Sequence, residues 1–202
     1  MNAAELKAAI TAAMTAVAGH ADELRDLDAA LGDGDLGITV SSGSKAVVEA
    51  IGKLGDEVTP ADIAKACAKA FANANPSTMA ALVAGALLAG SKTWADSADV
   101  DQASAADFMQ AAADSIGKRG KSEVGDKTIL DALVPAVSAL RDAPDAAAGL
   151  SAAIAAAERG VRETRELQSK RGRASWLQER SVGLQDPGAT AFLRFLQSWP
   201  AP

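Results

Sequence analysis

The chain has 202 residues, 49% of them hydrophobic and 23% charged, with a formal net charge of −6. That length suits one domain, 1–202, with a core of its own, and those fractions argue against disorder. One cysteine and one histidine argue against a disulfide framework, a thiolate zinc cluster or a histidine-rich metal site. The acidic balance argues against nucleic acid as a partner, because phosphate contacts need clustered Lys and Arg. Aromatics are only 3%, and about a quarter of the chain is Ala. Ala is the best helix former, and strands favour the residues that are thin here. The fold expected is all-α.

The first residues, MNAAELKAAI, are amphipathic and acidic, unlike a secretory signal. Leu6, Ile10, Met14 and Val17 share a helix face, with Asn2 and Glu5 as a capping box ahead of them. His20 falls at the end of that helix. A helix is expected over 38–54. Ile63, Cys67 and Phe71 then repeat every four residues behind Thr59-Pro60, a cap followed by a first-turn Pro. Cys67 reads as a small core residue. Further helices are expected over 77–93 and 103–118. Ile129, Leu133, Val137 and Leu140 form another stripe, for which Asp126 is the expected cap. A helix over 146–168 follows. Phe192, Phe195, Leu196 and Trp199 form the last stripe, opened by Asp186-Pro187. No segment alternates with period two, and no repeat is visible. The longest apolar stretch, Met79–Ala89, is too short and Ala-rich to span a bilayer. A cytoplasmic protein with no membrane partner is expected.

Seven or eight helices of roughly 12–20 residues with short connections imply an antiparallel bundle, in which alternate loops gather at one end. The unusual sequence lies in loops: LDAALGDGDLG (27–37), ANPSTM (74–79), VGDKT (124–128), GRAS (172–175) and QDPGAT (185–190). Loops carry function more often than helix faces do.

Asp28, Asp33 and Asp35 are spaced D-x4-D-x-D, with Gly32, Gly34 and Gly37 between and beyond them. Hard divalent cations take oxygen ligands, and glycines let a backbone fold tightly enough to gather carboxylates. The spacing does not fit an EF-hand, which needs a longer loop ending in Glu. It suits one or two Mg²⁺ whose shells are completed by water and phosphate. A solvated acidic turn is the plain alternative. No P-loop and no dinucleotide fingerprint is present. Ser77 and Thr78 precede a helical run, where hydroxyls and free N–H groups can receive phosphate oxygens; a simple N-cap is the alternative. Arg173 can pair with a phosphate or stack on a base, or be a surface residue of a basic turn. Trp94, Trp176 and Trp199 read as packing residues, with Trp176 beside Arg173 able to border a pocket.

The motifs L-D-x4-GDGDLG at 27–37, GDKTILDAL at 125–133 and GRASWLQERSVGLQDPGAT at 172–190 resemble the nucleotide-binding L subunit, or C-terminal domain, of dihydroxyacetone kinases. The resemblance covers almost the whole chain. It implies an antiparallel barrel of eight helices with ADP or ATP at one end. It also implies that Asp28, Asp33 and Asp35 hold two Mg²⁺ ions against the nucleotide phosphates. By the same resemblance Ser77 is a phosphate-binding residue, with Thr78 beside it. Thr39 touches the nucleotide, Gly120 and Ile129 line its site, and Arg173 contacts it. Asp186, Pro187 and Gly188 form the family's DPG turn.

The chain departs from the family in three places. Leu36 and Leu184 stand where the family often has His, and Asn75-Pro76-Ser77-Thr78 stands where its loop is often Gly-rich. The activity implied is phosphoryl transfer to a small ketose held by a separate K-type subunit. The donor is either ATP or a phosphohistidine protein of the sugar phosphotransferase system. The altered loops favour ATP. Two rival readings remain: an ADP-binding regulator that signals to a transcription factor, and the nucleotide domain of a fatty-acid-type kinase. The second typically carries a different P-x-P-D-G-D-T-G-T-N-M run and a longer chain.

Overall fold

The computed structural model describes residues 1–201. Nine α-helices and no strand are found among them: α1 Ala3–Val17, α2 Ala21–Leu31, α3 Leu36–Gly52, α4 Pro60–Ala74, α5 Thr78–Ser91, α6 Gln102–Gly120, α7 Leu130–Asp142, α8 Ala146–Glu163 and α9 Pro187–Ser198. The count exceeds eight because a 3-10 turn, Ala18–His20, separates α1 from α2. Val17, Ala18 and Ala21 keep helical backbone angles while His20 departs from them (φ −94°, ψ 8°), so α1 and α2 form one rod kinked at that turn, and α3 packs along both halves of it. From α3 onward each helix packs on the next, and α9 returns to α1 and α2. The result is a closed ring of eight staves.

Local signals start most staves. Asn2 and Glu5 form the expected capping box on α1, and Thr59 and Asp62 form one on α4, with Pro60 in the first turn. Asp186 caps α9 ahead of Pro187. Asp126, however, does not cap α7. Its N-cap position is Ile129, which offers no side-chain cap, and Thr128 Oγ1 accepts from the Leu130 N–H at 3.2 Å. Asp131, inside the first turn, reaches back instead: its carboxylate accepts from the N–H groups of Gly125 (2.6 Å) and Thr128 (2.7 Å). The helix expected to 168 ends at Glu163, where a 3-10 turn takes over.

Small side chains let the staves approach closely. Leu6, Val47, Ile51, Ile63 and Phe71 fill one part of the core, and Ala132, Ala136, Ala153 and Ala157 line the contact between α7 and α8. Cys67 is buried in the first of these, and burial pushes its thiol up to about 12. Trp94 stacks on Phe108 with centroids 4.2 Å apart and donates its indole N–H to the Ser104 carbonyl. Trp199 packs edge-on against Phe195. Arg194 of α9 grips the Glu23 carboxylate of α2 with two hydrogen bonds (2.8 and 2.6 Å), which closes the ring and holds that carboxyl below its usual range. No helix among the described residues is long and apolar enough to cross a membrane.

One of the two tightest approaches involves a missing donor. Pro135 lies inside α7, so the Asp131 carbonyl four residues earlier has no helical N–H to accept. Gly160 of α8 closes on that carbonyl, and a Cβ there would run into it. In an open helix Gly→Ala stabilises by about 1 kcal/mol. Here the sign reverses: we expect Gly160→Ala to destabilise the fold by about 1–3 kcal/mol, read as a lowered midpoint in thermal unfolding.

Candidate functional site

Because neighbouring staves alternate in direction, one end of the ring gathers the α2–α3, α4–α5, α6–α7 and α8–α9 loops. These are the loops whose sequences stood out. Every residue singled out for metal or nucleotide therefore lies at or beside this mouth.

The carboxylates come from the end of α2 and the loop into α3. One oxygen from each of Asp28, Asp33 and Asp35 lies within 4.8 Å of the other two. Ligands around Mg²⁺ stand about 2.1 Å from the ion, so opposite oxygens are about 4.2 Å apart. A hard divalent cation fits this set with little closure. Local backbone makes the convergence possible. Gly34 sits at φ +77°, and a Cβ on Gly32 would come within 2.8 Å of Asp28 Oδ1. The Leu36 N–H donates to Asp28 Oδ2 at 3.2 Å and orients that carboxylate. Arg173 forms an ion pair with Asp33 across the mouth.

Thr39 is buried on α3, and its hydroxyl accepts from Asn75 Nδ2 at 2.8 Å, tying the α4–α5 loop to α3. Ser77 caps α5: its Oγ accepts from the Ala80 N–H at 3.1 Å, which leaves its own proton available. Thr78 is exposed at the first position of α5. Gly120 ends α6, and Lys121 turns the chain in a left-handed conformation (φ 50°). Ile129 is half-buried at the start of α7, 3.6 Å from the position a Cβ on Gly188 would take. Asp186 Oδ2 accepts from the Ala189 N–H at 2.6 Å, and Pro187 is buried behind it. Leu36 is a core residue that packs with Val17, Leu24 and Val40, so its side chain lies in the core rather than in the mouth. Leu184 is 38% exposed.

The roles of two residues of the VGDKT loop, Lys127 and Asp126, and of Asp131 in the first turn of α7 escaped the sequence reading. Lys127 is 2% exposed, and its ammonium donates to the carbonyls of Leu167 (3.1 Å), Ser181 (2.5 Å) and Leu184 (2.6 Å). Burial lowers its pKa and the nearby Asp186 opposes that. Asp126 takes an ion pair from Lys170 (3.3 Å) and one from Arg171 (2.8 Å). Burial pushes its carboxyl up, but Arg171, the Glu123 N–H and Lys170 together hold it below the usual range. Asp131 is the reaching cap described above. Lys127 and Asp126 thus fasten both feet of the loop that carries Arg173. Their partners lie at least 40 residues on in the chain. Locally the sequence shows only a Lys two residues after Gly125, and the structure sets it at a positive φ of 61°.

The fold and the mouth together define a helical barrel with an acidic, loop-built rim. The DAK2 domain family matches residues 30–201. The chain is 34% identical over 171 residues to the ADP-binding subunit DhaL of PEP-dependent dihydroxyacetone kinase 1 of Listeria innocua, covering 82% of this chain and 79% of that protein. It is 35% identical over 179 residues to the L-erythrulose 1-kinase of Mycolicibacterium smegmatis, covering 87% of this chain and 31% of that one. The backbone superposes on the crystal structure of the dihydroxyacetone kinase from C. freundii in complex with AMP-PNP and Mg²⁺, with a TM-score of 0.77 at 20% identity, over 98% of this chain and 34% of that chain. The chain belongs to the DAK2-domain family, that of the ADP-binding subunits of dihydroxyacetone kinases. It spans about a third of the length of the erythrulose kinase and of the C. freundii enzyme.

Asp186 supplies a pH test. Burial pushes its carboxyl up to about 7, and the neighbouring Asp131 adds to this against the pull of the Ala189 N–H and Lys127. In the unfolded chain an aspartate titrates near pH 4. The folded state therefore holds an extra proton between about pH 4 and 7. The stability this confers is complete below the lower value and is lost as pH rises through the upper one. Asp186→Asn keeps the acceptor for Ala189 and removes the titration. We expect the stability of the native chain to fall relative to that variant across this window, measured as unfolding midpoints at a series of pH values.

Proposed function

We propose that this chain is the nucleotide-binding component of a small-ketose kinase, a single cytoplasmic domain that supplies the phosphoryl group to a ketose held by a K-type partner. The observation that carries this reading is the convergence of the Asp28, Asp33 and Asp35 oxygens at the mouth. The names of the relatives support it: the Listeria protein is an ADP-binding subunit, and the C. freundii enzyme was solved with AMP-PNP and Mg²⁺.

In this reading the three aspartates hold Mg²⁺, in one or two ions, beside the phosphates of ADP or ATP. Bound Mg²⁺ supplies neutralisation of the charge that develops during phosphoryl transfer. Ser77 Oγ accepts from its own helix and so presents its proton to a phosphate oxygen, as do the free N–H groups at the start of α5. Thr39 holds the α4–α5 loop in place through Asn75. Gly120, Ile129 and the Asp186-Pro187-Gly188 turn, with Thr78, border the nucleotide, and Arg173 brings a guanidinium suited to phosphate.

The ketose is assigned to the partner for a chemical reason. The resembling family holds the ketone as a covalent adduct on a His of its K subunit, and the one histidine here, His20, sits at the α1–α2 junction, 3.5 Å from Glu23 and away from the mouth. The donor we assign is ATP rather than a phosphohistidine protein of the phosphotransferase system, because the Asn75–Thr78 loop and Leu184 depart from the pattern of the phosphotransferase-linked subunits.

Calorimetry with ADP tests the nucleotide half. Uptake should require Mg²⁺, and Asp35→Asn should weaken it by about tenfold or more, at ~1.4 kcal/mol per tenfold. Uptake indifferent to Mg²⁺ would defeat the reading. Mixed with a K-type subunit and ATP alone, the chain should phosphorylate a triose or tetrose ketose, and by itself it should phosphorylate none.

A further inference from the structure

The Arg173–Asp33 pair joins two residues that the nucleotide reading needs for different purposes. Asp33 is to hold metal, and Arg173 is to meet the nucleotide, yet the structure pairs the two with each other. The pair is the contact that the tip of its loop makes with the carboxylates. The feet of that loop are fixed independently: by Lys127 on Leu167, Ser181 and Leu184, by the Ser169 N–H on Ser181 Oγ (2.9 Å), and by the Lys170 N–H on the Asp126 carbonyl (3.1 Å). Between those feet, residues 172–180 form a crown. It opens at Gly172 (φ 62°), is broken at Gln178 (φ 49°), and carries Trp176 with 80% of its surface exposed. The crown can therefore shift its tip without disturbing its base.

We propose that Arg173 is an exchangeable counter-ion: its guanidinium neutralises Asp33 while the metal site is empty, and leaves for the nucleotide's phosphates when a divalent cation takes that carboxylate. The inference rests on the nucleotide reading above and deepens it. Three carboxylates this close repel one another, so a cation of some kind is favoured among them at all times. A guanidinium fits a carboxylate and a phosphate equally well, and so can move between them. The consequence is coupling. Metal must displace Arg173, and nucleotide draws Arg173 away, so each ligand raises the affinity for the other by the same factor.

The pair is substantially exposed, with side-chain exposures of 60% and 46%. Exposed pairs are weak, which sets the competition at about two- to fivefold. The test is Mn²⁺ binding to the nucleotide-free chain, followed by electron paramagnetic resonance, for the native protein, Arg173→Gln and Arg180→Gln. Arg180 is exposed on the same crown, so its variant removes the same charge without touching Asp33. Arg173→Gln should raise Mn²⁺ affinity about two- to fivefold above the Arg180→Gln value, and should reduce the enhancement of Mn²⁺ binding by ADP. Equal Mn²⁺ affinities in the two variants would overturn the exchange while leaving Mg²⁺-dependent ADP uptake intact. No Mn²⁺ binding by any of the three would overturn the metal reading and the exchange with it.

Discussion

The ammonium of Lys127, buried beneath the mouth, is the contact on which the arrangement of the site depends. It replaces water with three carbonyl oxygens drawn from two separate stretches, Leu167 and Ser181–Leu184. A buried cation without partners is strongly unfavourable, and removal of one partner from a buried charge costs about 3–5 kcal/mol. The two ends of the stretch between those carbonyls are therefore held in place across the end of the barrel. Asp126 repeats the device from the same turn with the signs reversed, a buried carboxylate that gathers Lys170 and Arg171. The two side by side make an otherwise irregular loop as fixed in its base as a helix.

On the opposite wall of the mouth the constraint is steric. The Asp28 carboxylate folds back over Gly32, and α3 lies so close to α2 that a Cβ on Gly37 would meet the Ala21 carbonyl. Close packing of these two elements brings Asp28, at the end of one, to Asp35, at the start of the next. The acidic group is thus a product of the ring as well as of its own loop. Closure of the ring by α9, clamped through Arg194 to Glu23, keeps α2 where the group needs it.

Much of this was legible in the sequence. The stripe at Leu6, Ile10, Met14 and Val17, the caps at Asn2, Thr59 and Asp186, and the prolines behind two of them are local signals, and local interactions realise them. The D-x4-D-x-D spacing with its glycines announced a group of converging oxygens before any coordinates. What escaped depends on distant partners. Asp126 has the look of a helix cap, and its role as an ion-pair centre is set by residues 44 and 45 positions on. Lys127 reads as a surface lysine until the loop that buries it is in place. The end of the first helix at His20 was legible, but the separate helix α2 that follows the Ala18–His20 turn was not. Leu36 shows the converse: it stands inside the metal-type motif, and packing places it in the core.

The sealed position of Cys67 has a practical side. Thiolate is the reactive form of cysteine, and a thiol buried and held as high as about 12 presents almost none of it at neutral pH. In the folded chain Cys67 is consequently inert toward thiol-directed alkylating and oxidising reagents, and it has no second cysteine with which to pair. A cysteine introduced at the rim would be the one reactive sulfur in the molecule, so a dye or spin label could be placed there without first rebuilding the interior.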